Sequence, residues 1–182
     1  MGMGRMMLTK RQRERLLYHP QTRGMSRAEA RLEAWARVAH PDWFINDLDE
    51  LCRWISRNIE ETRWFRAISP IRGIAVRVGH GSKDAFAVRD EFGSLHVGDI
   101  TLPPRFRTTL AACHECAHLL QPVDDDELID RGLKTHGPEF IGMFLYVVRR
   151  ALGRRATERF QGMLRDEGVE WVRYQPKRTR RK

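Results

Sequence analysis

The pentad His114-Glu115-Cys116-Ala117-His118 constrains this chain more than any other stretch. Two histidines four residues apart lie on one face of a helix, about one turn apart, so their imidazoles can converge on one cation. The glutamate beside the first is then placed to take a proton from metal-bound water. At this chain's content of His and Glu, the pattern arises by accident in about two of a hundred such sequences, so its surroundings decide. Upstream, Pro103-Pro104 is a helix-start signal, because a first-turn proline loses no hydrogen bond and already has a helical φ. Good helix formers follow as far as Pro122. The motif therefore falls in a helix, as its chemistry requires.

A hydrolytic zinc site also needs a third protein ligand and an open position. His136, in Thr135-His136-Gly137-Pro138-Glu139-Phe140, fits that role. Pro138 reads as a first-turn residue of the next helix, and Gly137 as a tight turn beside the metal. Phe140, Ile141, Phe144, Leu145 and Val148 recur at helical spacing as the buried face of that helix. His19, His40, His80 and His96 stand in weaker contexts and read as surface or structural residues. Cys113 and Cys116 form a C-x-x-C, which elsewhere suggests a structural zinc or a redox pair. At about 100° per residue, Cys113 lies about 100° from His114, and Cys116 about 160° from the midpoint of the two histidines. Neither thiol points where the imidazoles point, so both read as small packing residues. Cys52 is far off on another helix. Three cysteines with no signal-peptide region indicate a reducing compartment and no disulfide framework.

His-Glu-x-x-His followed by His-Gly-Pro-Glu-Phe resembles the SprT/Spartan-like zinc metalloprotease domain, whose third zinc ligand is the His of a His-Gly-x-x-Phe motif. The whole arrangement is similar to a family of small metallohydrolases of actinobacteria and their phages. The resemblance covers residues 74–169 and is sharpest over 110–145. It implies Zn2+ bound by His114, His118 and His136, with Glu115 as general base and a protein or peptide as substrate. It also implies a zincin-like plan, in which a strand precedes the active-site helix. The segment between His118 and His136 is longer and more acidic than in Spartan. Asp124, Asp125, Asp126 and Glu127, with Asp130 close by, can orient a ligand histidine, select basic substrates or form a solvated loop. Tyr146 and Arg149 are candidate oxyanion partners. The 98–101 strand is a candidate for pairing with an extended peptide.

No apolar run approaches the length of a membrane span, which sets the expectation of a cytoplasmic protein without membrane contact. The formal charge of +9 gathers at two ends. Lys10, Arg11, Arg13 and Arg15 form one cluster, and Arg173, Lys177, Arg178, Arg180, Arg181 and Lys182 the other. Such ends are solvated tails by default and can also bind nucleic acid weakly through phosphate contacts.

The chain divides into a basic N-terminal segment (1–20), a zincin-like metallohydrolase domain (21–172) and a basic C-terminal tail (173–182). Ser26-Arg27-Ala28-Glu29 reads as a capping box opening a helix that ends near residue 39. Asn46 or Asp47 caps a helix ending near residue 59, with Leu48, Leu51, Cys52, Ile55 and Ile59 on its buried side. Trp35, Trp43, Trp54 and Trp64 read as packing residues. Strands are expected at 71–78, 85–89 and 95–102, a helix at 155–166 and a short final strand at 169–174. The fold class is α+β, with a small, mostly antiparallel sheet packed on the active-site helix and helices at both ends. The functional reading is a zinc-dependent hydrolase, most simply a metallopeptidase. Two alternatives stay open: a nucleic-acid-associated binding protein with a structural zinc site, and an interaction module whose motif holds no metal.

Overall fold

The computed structural model describes residues 20–78, 85–92, 95–121 and 136–176. Helix α1 (Pro20–Ala39) buries Met25, Ala28, Leu32 and Ala36, spaced three and four apart so that one stripe meets the core. The expected capping box is not its start. Ser26 sits inside the helix, and its hydroxyl donates to the Thr22 carbonyl at 2.9 Å. A capping side chain serves backbone N–H groups that lack an intrahelical partner, and the turn before Ser26 removes that need.

Helix α2 (Leu48–Ile55) does start at a cap, the Asp47 carboxylate accepting from the Glu50 amide at 2.8 Å. A wider helical turn, Ser56–Glu60, extends it. Leu51, Ile55 and Ile59 are buried, whereas Leu48 and Cys52 are only partly so. Helix α3 (Arg63–Ile68) follows. Trp43 is buried, and Trp35, Trp54 and Trp64 pack against the core from its margin.

The sheet contains β1 (Gly73–Val78), β2 (Phe86–Phe92) and β3 (Leu95–Leu102) in the order β1-β3-β2. Ala75 of β1 faces Asp99 in a parallel pair, and Val88 of β2 faces Asp99 in an antiparallel one. The sheet is therefore mixed rather than mostly antiparallel. β3 takes the centre because it carries the most deeply buried residues, with Ile100 and Leu102 at 0 % exposure. Being paired on both sides, β3 offers no free edge, so the peptide pairing expected at 98–101 does not fit there. Asp99 is instead gripped by Arg77, Nε to Oδ1 and Nη2 to Oδ2, both at 2.8 Å.

Helix α4 (Thr109–Leu120) carries the pentad and lies across the sheet. Its start differs from expectation. Pro104–Phe106 form a separate short turn, Arg107 leaves helical geometry at ψ 63°, and Thr108 caps the helix by accepting from the Ala111 amide at 3.0 Å. Gly98 lets the helix settle closely on β3: a Cβ there would lie 2.5 Å from Cδ1 of both Leu119 and Ile71.

Helix α5 (Pro138–Ala151) opens with Pro138 in its first turn, as expected. The chain turns at His136 and bends at Gly137, which precedes the helix at φ −73° and ψ 178°, a conformation open to any residue, so the turn does not depend on glycine. Helix α6 (Arg154–Asp166) packs on α1. Arg27–Glu167 and Arg31–Asp166 ion pairs join the two at 2.5 and 2.8 Å. These pairs are exposed and contribute little beside the apolar contact.

Residues 169–174 do not form the expected strand. They run along α5 instead, the Val172 amide donating to the Pro138 carbonyl at 3.0 Å, so their backbone meets a helix and not a sheet edge. Phe65, Phe140, Phe144 and Phe160 fill the centre of the core. The class is α+β with helices at both ends, and among the described residues no helix is long and apolar enough to cross a membrane.

The approach of residue 172 to α5 is testable. A Cβ on Gly142 would lie 1.8 Å from the Val172 carbonyl oxygen, a backbone atom that cannot swing aside. Gly142→Ala is expected to cost about 1–3 kcal/mol in urea unfolding, and Gly98→Ala less, because leucine and isoleucine tips can move. A Gly142→Ala chain stabilised by about 1 kcal/mol, as helix propensity alone gives, would contradict this packing.

Candidate metal centre

Nine of the twelve residues of α4 are buried. The three that are not, Ala111, His114 and His118, recur at i, i+3 and i+7 and so share one face. A helix enclosed on nearly every side thus opens only along the stripe that bears both histidines. His136 arrives from just before α5, where Pro138 fixes the first turn. His118 Nε2 lies 3.2 Å from His114 Nε2 and 3.1 Å from His136 Nε2. Among the described residues this is the one cluster of potential metal ligands, its donor atoms all within 4.8 Å of one another. Phe140 backs all three rings, with centroids 5.1, 4.3 and 4.9 Å from those of His114, His118 and His136.

This donor set fits a zinc ion. Tetrahedral Zn–N bonds of about 2.0–2.1 Å place neighbouring nitrogens about 3.3–3.4 Å apart, close to the spacing found. Hydrogen bonding among the rings does not account for the arrangement. His114 donates from Nδ1 to a Glu29 carboxylate oxygen at 2.7 Å, which leaves a lone pair on its Nε2. With that proton committed, at most one of the two Nε2 contacts in the neutral cluster is a full hydrogen bond, and the other nitrogen pair stands 3.1–3.2 Å apart without one. Burial, together with the charges of His114 and His118, pushes the His136 pKa well below the usual imidazole value and favours its neutral, ligating form. Three protein nitrogens leave one tetrahedral position open among the described residues.

Glu29, beside the histidine cluster, is the residue the sequence placed elsewhere. It was expected to cap a helix; it stands in the middle of α1 and orients His114. One turn later, Glu33 accepts from the Thr108 hydroxyl at 3.0 Å, the same hydroxyl that caps α4. The readable signal is an i, i+4 acid pair flanking the buried Met25-Ala28-Leu32-Ala36 stripe, since carboxylates at the margin of a core need partners. The acidic residues Asp124 to Glu127 and Asp130, for which orienting a histidine, selecting basic substrates and a solvated loop are all open readings, lie outside the described residues.

Glu115 is buried at 5 % exposure and lines a cleft of about 360 Å³ with Glu29, Glu33, Ala85, Phe106 and His114. Cys113 and Cys116 are fully buried, burial pushes both thiols well above their usual pKa, and neither belongs to the cluster of three histidines. Tyr146 and Arg149 do not reach the cleft. They line a different cavity on the opposite face of α5 from Phe140 and Phe144, the residues that touch the histidine rings. Tyr146 packs its ring edge-on against Trp64 and Tyr174. His40 stacks on Trp43 at 5.0 Å, a packing role as expected. His19, His80 and the His96 side chain lie outside the described residues, as do the basic residues 10–15 and 177–182.

Comparison with family models, with curated proteins and with solved structures finds no match for this chain.

Glu29→Gln keeps an acceptor for His114 but removes its charge. It is expected to weaken zinc binding about 10- to 100-fold in a chelator-competition titration, with unfolding little changed. Glu33 gives a pH signature. Burial above all, with help from Glu29, raises its pKa, while Thr108 and Arg37 oppose the rise. A raised carboxyl pKa means that the folded state binds the proton more tightly, so stability is full below the unfolded value and declines as pH rises through the folded one. In metal-free protein, Glu33→Gln should remove that decline, equalling wild type in acid and gaining on it toward neutral pH. A wild-type profile that instead climbs across this window would refute the assignment.

Proposed function

We propose that this chain is a zinc-dependent hydrolase of the metallopeptidase type, with Glu115 as general base and a zincin-like relation of sheet to site helix. One observation carries the reading: His118 Nε2 lies 3.1–3.2 Å from the Nε2 atoms of His114 and His136, and His114 shares its cleft with a buried carboxylate, that of Glu115, next to it in sequence. The resemblance of the same residues to the SprT/Spartan-like domain supports it. A zinc ion held by His114, His118 and His136 supplies a Lewis acid and a water of lowered pKa.

The chain's own groups do the rest. Glu115 accepts a proton from the attacking water and returns it to the leaving amine, and its burial keeps bulk water from competing for that proton. Glu29 holds His114 with its Nε2 lone pair turned toward the cluster. Phe140 keeps the rings from rotating apart. The described cleft wall contains no Arg or Lys, so it offers no side-chain cation to a developing oxyanion. An extended peptide pairs most readily with β2, whose outer edge is unpaired among the described residues. Ala85, which leads into β2, lines the cleft with His114 and Glu115.

Elemental analysis of purified protein is expected to find one zinc per chain, and X-ray absorption nitrogen ligands at about 2.0–2.1 Å. His136→Ala should lose the metal. In a peptide-library cleavage screen, Glu115→Gln should keep zinc and melting temperature while turnover falls roughly 10²- to 10⁴-fold. Wild-type cleavage by Glu115→Gln would remove Glu115 from the mechanism. A fourth protein ligand at the zinc would make the site structural.

A further inference from the structure

Residues 169–174 have the composition of a strand but none of its partners. From Val169 to Pro176 the chain has no turn or bend. It meets α5 through alternate backbone groups. The Val172 amide bonds the Pro138 carbonyl at 3.0 Å, and a Cβ on Gly142 would meet the Val172 carbonyl and the Tyr174 amide. Successive residues of an extended chain turn these groups to opposite edges, so Trp171, Arg173 and Gln175 turn theirs away from the helix. Among the described residues, the backbone groups of these three make no hydrogen bond. The result is a short unpaired edge of the kind that another strand completes.

A cavity of about 840 Å³ borders this segment, lined by Arg149, Arg150 and Arg173 together with Tyr146, Trp171 and Tyr174. The three arginines are exposed, and among the described residues none makes an ion pair. Arg150 lies over the Tyr146 ring, 5.2 Å from its centroid. The one acid on the wall, Glu158, is taken by Arg154 at 2.5 Å. Val172, whose side chain falls on the other face of an extended segment from Arg173, is 53 % exposed. One face of the edge thus offers uncompensated positive charge, and the other an apolar side chain.

We propose that residues 171–175 dock an extended peptide of a partner protein, which adds a strand to this edge and alternates acidic with apolar residues. In this mode backbone pairing supplies the affinity and alternate side chains the selectivity. Paired strands lie about 4.8 Å apart, so acidic residues at every second position come beside Arg173 and the arginines of α5, while the residues between them meet Val172. A nucleic acid satisfies the arginines but carries no amides and carbonyls at strand spacing for the edge. A second copy offering the same edge brings arginine against arginine. Arg149 and Arg150 also offset the dipole at the end of α5, a role in which Arg173 has no part. The site lies away from the histidine cluster and does not depend on the hydrolase reading.

Fluorescence anisotropy of the full chain with a labelled peptide of about ten residues, Glu alternating with Val, tests this at low and moderate salt. The expected result is binding that weakens as salt rises and that exceeds binding of polyglutamate or of the same peptide with Lys in place of Glu. N-methylation of every second peptide amide should abolish binding in one register and spare it in the other, because an added strand pairs through one edge. Arg149→Gln combined with Arg173→Gln should weaken binding about tenfold or more and flatten the salt dependence. Val172→Ser should cost roughly threefold. Zinc content and melting temperature should stay at wild-type values in both variants. The proposal is overturned by no binding at low salt, by equal binding of polyglutamate, or by N-methylated peptides of the two registers that bind alike. It is also overturned if the double arginine variant binds as wild type does, or if an oligothymidylate displaces the peptide more effectively than unlabelled peptide. A chain that dimerises through this edge, with Val172→Ser dissolving the dimer, would overturn it as well.

Discussion

Three imidazoles held nitrogen against nitrogen cannot all hydrogen-bond to one another, whereas a single cation can join them, and the surrounding structure is arranged to prevent their parting. His114 and His118 cannot separate because α4 is packed on nine of its twelve residues. His136 cannot drift far because Pro138 starts α5 two residues later, and Phe140 on that helix sits against all three rings. A site held by a flexible loop alone would relax by turning one ring away. Here each ring is tied to a different part of a close-packed core, where small displacements are expensive.

Helix α1 enforces this from the other side. Glu29 fixes the tautomer of His114, and Glu33 takes the hydroxyl proton of the residue that begins α4. The two carboxylates are one turn apart on a helix whose adjacent stripe is buried, so their spacing is as rigid as the helix itself. The start of α4 and the rotation of His114 are thus set by one element. That explains why a helix some eighty residues earlier in sequence bears on the pentad, His114 and Glu29 being 85 residues apart. It also explains why an acid is tolerated there. A buried carboxylate without a partner is costly, and each of these two has one.

What the sequence revealed follows from how local each signal is. The pentad, the third histidine and the Pro138 helix are spacing patterns within a few residues, and the structure brings all three histidines together. The Asp47 cap and β3 were legible for the same reason. The order of the sheet was not, because three strands of similar composition permit either of two edges for β1. Burial of Ile100 and Leu102 decides the order, and that is a property of the assembled molecule. The Pro103-Pro104 pair misled because a proline favours the first turn of any helix, including a short one that ends at Arg107. Ser26-Arg27-Ala28-Glu29 misled because a capping box is recognised by its side chains. Those same side chains were engaged elsewhere, Ser26 within its own helix and Glu29 at the histidine cluster.

Helix α5 divides the molecule's chemistry. Phe140 and Phe144 turn toward the histidines, while Tyr146, Arg149 and Arg150 turn to the second cavity. The two surfaces differ in character, one built around histidines and the carboxylates of Glu29, Glu33 and Glu115, the other cationic and aromatic. They nevertheless share a mechanical element. The segment carrying Trp171 and Arg173 is anchored by the Val172 amide on the Pro138 carbonyl, and by contact of Val172 with Gly142. Pro138 is two residues from His136. Whatever steadies that segment therefore also steadies the start of the helix that follows His136, through one backbone hydrogen bond and one position where only glycine fits.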